Sequence, residues 1–289
     1  MQDKICLITG ANAGIGQQTA LELAQLGATV VIVARDPQRG ETARAAIAAA
    51  TGNTRVDLLQ ADFAVPDSIR AMTAAFAARY DRLDVLVNNA GVYLTGREET
   101  AEGLERTFAV NHLGYFMTTL LLWDSLLAAP AARVINLSSD AHRQAKINFD
   151  DLQNKRKYAG FSAYGQSKLA NVLFTYELDR RRGDAPVTVN AVHPGFVASN
   201  FGRNNRGLVG LAMTRIVPLF AKSVAEGAAT SVYLASSPEV AGVSGRYFSD
   251  CRAVKSAPQS YDRAAAERLW AVSEELTGVR LPALAQPSQ

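Results

Sequence analysis

A chain of 289 residues, 48% hydrophobic and 20% charged, is long and apolar enough to bury a core, as one large α/β domain or two small ones. Its net charge is only +3, and the basic residues lie scattered among acids, as in Arg97-Glu98-Glu99, which excludes a nucleic-acid or membrane-surface patch. Two cysteines, Cys6 and Cys251, exclude a disulfide framework or a zinc spacing and read as packing thiols suited to a reducing compartment.

The first predicted element is a strand from Lys4 to Thr9. It empties into Gly10-Ala11-Asn12-Ala13-Gly14-Ile15-Gly16 and then a helix carrying Ala20, Leu21, Leu23, Ala24 and Leu26, which stops at Gly27. Strand, glycine turn and helix in that order suit a dinucleotide. Glycines admit the backbone close to a pyrophosphate, and the helix start offers it free N–H groups. The glycine spacing differs from the general G-x-G-x-x-G pattern, so that pattern alone does not identify the site. The second strand, Thr29 to Ala34, ends at Arg35 and Asp36. A carboxylate there suits the ribose 2′-hydroxyl of NAD and an arginine the 2′-phosphate of NADP. Arg35 therefore favours NADP(H), with NAD as the weaker alternative; an arginine diverted by Asp36 into a solvated loop is the competing reading.

A helix over 41–50, a third strand from Val56 to Gln60 ending near Asp62, and a helix over 68–80 follow. The fourth strand, Leu83 to Val87, ends in Asn88-Asn89-Ala90-Gly91, whose amides and glycine can tie loops together and admit a cofactor, or form a simple turn. Residues 104–127 read as one long helical stretch, with Gly114 as a helix-weakening residue within it, and contain Asn111. A lone mid-helix asparagine is more often a kink or a surface polar group than a catalytic one, and neighbouring His112 reads as structural. Val134 to Leu137 is the fifth strand, so Ser139 falls at its carboxyl edge, where ligands bind in open α/β sheets.

Tyr164 and Lys168 are four residues apart in Ala163-Tyr164-Gly165-Gln166-Ser167-Lys168, at the start of a helix reaching Arg182, and so share one face. An ammonium beside a phenol favours the phenolate, which would lower the Tyr164 pKa and make it a general acid or base. Taken alone, Tyr-x-x-x-Lys is weak, since a half-exposed tyrosine near a solvated lysine looks the same. The sixth strand, Val187 to Val192, breaks at Pro194-Gly195. An apolar segment over 196–222 reads equally as a mobile substrate lid or a helix held on the core. A helix over 227–235, a seventh strand from Arg246 to Phe248 and a closing helix over 262–276 complete the alternation, which predicts a parallel sheet covered on both faces.

Thr9-Gly10-x-x-x-Gly14-Ile15-Gly16, Asn88-Asn89-Ala90-Gly91, Asn111, Ser139, Tyr164-x-x-x-Lys168 and Pro194-Gly195 stand in the order found in the short-chain dehydrogenase/reductases, which the chain resembles over nearly its whole length. A narrower likeness, to the branch of the retinol dehydrogenases and the WW-domain oxidoreductase, rests on 136–142, 167–174, His193-Pro194-Gly195, 244–248 and Leu269-Trp270. That branch's WW module and amino-terminal membrane anchor are not expected here.

The resemblance implies a single-domain, Rossmann-like doubly wound parallel sheet of about seven strands over 1–289. It implies catalysis by Asn111, Ser139, Tyr164 and Lys168, with Asn111 ordering a water behind Lys168. Cofactor contacts would come from Gly10, Asn12, Gly14, Ile15, Gly16, Arg35, Asp62 at the adenine, Asn89, Ala90, Gly91, Tyr164, Lys168, Pro194, Gly195, Val197 and Ser199. Substrate would meet Ser139, Tyr93, Phe196 and Phe201, with Leu94, the 139–164 insert and the 196–222 segment as further apolar walls; the insert reads alternatively as a solvated decoration. No metal is expected.

The favoured function is an NADP(H)-dependent oxidoreductase acting on an apolar aldehyde, ketone or alcohol. A weakly catalytic NADP(H)-binding sensor or scaffold is the alternative, and it has no need of Ser139, Tyr164 and Lys168 together. A third reading, an epimerase or dehydratase of the extended family, would need a larger carboxyl-terminal sugar-binding region. Asp3 and Lys4 interrupt the amino terminus before any signal-like run, and the apolar 208–221 run is broken by Arg215 and Pro218, so a cytoplasmic protein without a membrane span is expected. Monomer and homo-oligomer stay open.

Overall fold

The Val-, Ile- and Leu-rich runs form parallel strands buried on both faces. In the computed structural model, which describes residues 1–195 and 222–282, β1 (Ile5–Thr9), β2 (Thr29–Ala34), β3 (Val56–Gln60), β4 (Val85–Asn88), β5 (Ala132–Leu137), β6 (Val187–His193) and β7 (Arg246–Ser249) share one sheet. Their order is β3-β2-β1-β4-β5-β6-β7, every neighbouring pair parallel. An eighth strand, β8 (Arg252–Val254), pairs antiparallel with β7 at the edge. The two are joined through Asp250 and Cys251, whose φ values of 51° and 58° are those of a type I′ hairpin turn. The turn lacks the usual Asn-Gly or Asp-Gly, so the sequence pattern counts only seven strands. Cys251 is thus a turn residue and not a packing thiol, whereas Cys6 is buried in β1.

Strand side chains alternate between two cores. Leu7, Val31 and Val33 pack with Phe76 of α3 (Pro66–Ala77) and with Phe174 of α7 (Gly160–Arg181). Cys6, Ile8, Val30 and Ile32 face Leu23 of α1 (Gly14–Gln25), Ile47 of α2 (Pro37–Thr51) and Leu234 of α8 (Val224–Ser236). α2 starts where it does because Asp36 accepts hydrogen bonds from Gln38 N and Arg39 N at 2.9 and 3.0 Å, with Pro37 at the first helical position. The closing helix, α9 (Arg263–Thr277), packs on α7 through Leu169, Leu173, Ala266 and Leu269.

The stretch over 104–127 is not one helix. It divides into α4 (Arg106–Phe108), a π-helical turn (Ala109–Leu113), α5 (Gly114–Leu121) and α6 (Trp123–Leu127). Gly114 stands where a Cβ would lie 2.8 Å from the Phe63 ring, so the close approach of this segment to the loop after β3 requires glycine. The wider π turn carries Asn111 and turns it towards the carboxyl ends of β4 and β5, a recurrent use of π geometry at functional sites.

The insert after Ser139 divides too. Phe149 and Leu152 join the α7–α9 cluster, with the Arg268 guanidinium 4.3 Å from the Phe149 ring centre, and of the insert only Asp140, Ala141 and Phe161 line the central cleft. Most of the insert is therefore a brace for α9. Among the described residues no helix is long and apolar enough to cross a membrane.

Candidate active site

Strand order reverses between β1 and β4, and the crevice at that switch point opens into a cavity of about 670 Å³. Its floor is the glycine turn. Gly10 and Gly14 have φ values of 65° and 59°, and a Cβ on Gly10 would lie 2.8 Å from Ala90 Cα. A Cβ on Gly16 would fall 2.4 Å from Asn89 Nδ2 and 2.6 Å from Gly10 O. Asn89 secures this packing by donating from Nδ2 to Thr9 O at 2.7 Å, while Thr9 Oγ1 accepts from the N–H groups of Asn89 and Ala90. At the start of α1 the capping position is Ala13, which has no side-chain acceptor, so the first-turn N–H groups face the cavity uncapped.

These features fit the phosphates of a nicotinamide dinucleotide. Asn12, Ile15, Asp62, Gly91, Pro194 and Gly195 line the same cavity. Arg35 lines it as well, as an exposed residue beside Asp36, whose Oδ1 caps α2. Val197, Ser199, Phe196, Phe201 and the apolar segment from 196 to 221 lie outside the described residues.

At the other end of the cavity the structure brings Ser139, Tyr164 and Lys168 together. Ser139 is extended (φ −162°) just past β5, and its hydroxyl hydrogen-bonds the Tyr164 phenol. Tyr93 meets Tyr164 edge-on, ring centres 5.7 Å apart. A Cβ on Gly165 would lie 3.0 Å from Ala141 O, so α7 approaches the turn after Ser139 against bare backbone. The Lys168 ammonium is buried 5.7 Å from the Tyr164 ring centre and 5.5 Å from that of Tyr115, and it donates to Leu137 O at 3.0 Å.

One expectation needs correction. Lys168 does not set the Tyr164 pKa here: burial pushes the phenol up to about 12, and the bond to Ser139 is what opposes it. Burial also brings Lys168 down to about 7, so its positive charge, the very property expected to act on the phenol, is itself weakened. The Asn111 side chain makes its hydrogen bonds elsewhere than to Lys168. Its Oδ1 accepts from Val92 N at 2.7 Å, and its Nδ2 donates to Val92 O and to Ser167 Oγ, both at 3.0 Å. It ties the loop after β4 to α7, and Ser167 in turn donates to Tyr164 O at 2.7 Å.

Sequence reasoning missed Arg39 and His193. Arg39 lines the cavity from the first turn of α2, and a second arginine so soon after Arg35 at the end of β2 was the available signal. His193 lines it where β6 ends, its Nε2 3.3 Å from Asp140 Oδ2; its place directly before Pro194-Gly195 could have marked it.

The family profile described as short chain dehydrogenase matches residues 4–207, and the chain belongs to that family. Retinol dehydrogenase 12 of Mus musculus is 45% identical to it over 277 residues, 96% of this chain and 87% of the relative. A crystal structure of a Mycobacterium paratuberculosis protein shares the fold with a TM-score of 0.79 and 32% identity, over 98% of this chain and 96% of its own. The Pseudomonas aeruginosa RhlG/NADP active-site complex matches with a TM-score of 0.69 and 26% identity, over 86% and 94%.

Proposed function

We propose that this short-chain dehydrogenase is NADP(H)-dependent and transfers hydride between the nicotinamide and the carbonyl or alcohol carbon of an apolar aldehyde, ketone or alcohol. The observation that carries the reading is the meeting of Ser139, Tyr164 and Lys168 at one end of a cavity whose other end is a glycine floor beside Arg35 and Arg39. Bound NADP(H) supplies or accepts the hydride. In reduction, Tyr164 gives its phenolic proton to the carbonyl oxygen and Ser139 donates a hydrogen bond to the same oxygen. The phenolate left behind is stabilised by its hydrogen bond from Ser139 and is then reprotonated by solvent. Lys168 would hold the nicotinamide ribose hydroxyls.

NADP(H) is supported by the two cavity-lining arginines, whose forked donors match a phosphate, and by the cofactor in the RhlG complex. Tyr93 and Phe161 on the cavity wall, together with the retinol named for the mouse relative, support an apolar substrate. A cytoplasmic location belongs to the same proposal, on the two free thiols Cys6 and Cys251.

The test follows NADPH absorbance with a panel of medium-chain aldehydes, ketones, quinones and retinal. Turnover of apolar carbonyls is expected, and Tyr164→Phe should lose about 10²–10⁴-fold in kcat on the best of them. A variant as fast as the wild type would remove Tyr164 from the mechanism. Preference for a small charged keto acid or a free sugar would overturn the substrate class alone.

A further inference from the structure

Behind Lys168 runs a buried hydrogen-bond chain that the chemistry above does not use. Asn171, three residues after Lys168 on α7, donates from Nδ2 to Asn111 O at 2.9 Å and to Leu137 O at 3.1 Å. Leu137 O is the same atom that accepts the Lys168 ammonium. On its other side, Asn171 Oδ1 lies 3.4 Å from His112 Nδ1, and His112 Nε2 lies 3.0 Å from Ser273 Oγ on α9. Asn171, His112 and Ser273 are all buried.

Donors and acceptors fix the arrangement. Reversing the Asn171 amide would set its oxygen against two carbonyl oxygens, so Nδ2 must face them and Oδ1 must face His112. His112 Nδ1 therefore carries a hydrogen. Burial holds this imidazole neutral, with its pKa brought down to about 4, so Nε2 has none and is left as an acceptor for the Ser273 hydroxyl. That hydroxyl reaches two acceptors, Leu269 O at 2.8 Å and His112 Nε2 at 3.0 Å; when it turns from Leu269 O to the imidazole, the carbonyl keeps its helical N–H partner.

We propose that Asn171 is a positioning residue for Lys168: it is the second donor that keeps Leu137 O satisfied when the ammonium leaves that carbonyl for the cofactor ribose, and His112, oriented by Ser273, holds Asn171 in place. The first clause rests on the reading that Lys168 engages the ribose. An orphaned buried carbonyl is destabilising, so without Asn171 the ammonium is retained on Leu137 O and withheld from the cofactor. The same amide ties the π turn, through Asn111 O, to the end of β5. Ser273 lets α9 support a centre it never touches.

Two independent readouts test this. The chain has 3 histidines, so imidazole ¹⁵N spectra of histidine-labelled protein, assigned with His112→Asn, resolve each ring. His112 should be neutral at neutral pH with its hydrogen on Nδ1; a hydrogen on Nε2 would overturn the orientation. Next, NADPH is titrated by fluorescence without substrate, and kcat and KM are measured on a carbonyl the wild type reduces. Asn171→Leu should weaken NADPH and lower kcat by about tenfold or more with carbonyl KM little changed. His112→Leu should act in the same direction. His112→Asn, which keeps a donor near the Nδ1 position, should recover most of the loss. Wild-type NADPH affinity and kcat in Asn171→Leu, whatever its thermal stability, would make the chain merely structural. Equal damage from both His112 variants would do the same. If no carbonyl is reduced, the functional reading fails while the titration and the spectra still decide this one; if Asn171→Leu does not fold, the His112 pair decides it.

Discussion

Lys168 carries its charge where burial opposes it. Its pKa falls from an ordinary 10.5 to about 7, so between those values the unfolded chain binds a proton that the folded protein does not. The lysine's destabilising contribution is therefore full below about pH 7 and fades as pH rises towards 10. Lys168→Met, which leaves Leu137 O to Asn171, should melt higher than wild type near neutral pH while losing activity, and its advantage should shrink towards about pH 9.5. A pH-independent difference in melting temperature would contradict the burial argument. Arg35 is the other residue whose role turns on charge: Arg35→Ala should weaken NADPH about tenfold or more and leave NADH nearly untouched, as competing titrations would show. The four-residue step from Tyr164 to Lys168 was legible because helix geometry is local. The pKa of either group was not, since it depends on which distant segments enclose it.

At the level of elements, the glycine turn was the clearest signal and is the least forgiving place to change. A Cβ on Gly16 would sit 2.4 Å from Asn89 Nδ2 and 2.6 Å from Gly10 O, and the second neighbour is backbone that cannot swing aside. Gly16→Ala should lower stability by about 1–3 kcal/mol in urea unfolding and impair dinucleotide binding. Unchanged unfolding would mean that this turn is looser than its contacts require. Strands β1 to β7 and the helices between them could be read because a parallel sheet buries continuous apolar runs flanked by turn residues. The π turn could not. It adds a residue to a helical turn without altering composition, and what stabilises it is remote: Val92, Ser167 and Asn171 all bond to Asn111. β8 was equally hidden, since Asp250 and Cys251 enter positive φ without a glycine.

Over the whole molecule, burial depresses all three histidines, His112 to about 4 and His142 and His193 below their usual 6.5. As pH falls below about 6.5 the unfolded chain takes up protons that the folded protein refuses, so stability should drop towards pH 4. Glu105, buried and raised above 4.5, works in the opposite direction; Asp84, held below 3.8, adds its loss only at lower pH. The melting temperature should therefore fall through this window, and less steeply for His112→Asn, which removes the most depressed of the three groups. Parallel curves would show that His112 protonation does not limit acid stability.

Gly165 bears on how such losses would appear. α7 rests there against the Ala141 carbonyl with no side chain between them, so the spacing of Tyr164 and Ser139 is gauged by two backbones in contact. A gauge of that kind has no soft part to absorb error. Heat or solvent need only part those two segments by a fraction of an ångström to misalign the hydroxyls, while both hydrophobic cores stay closed. The protein should fall silent as a catalyst before it begins to melt.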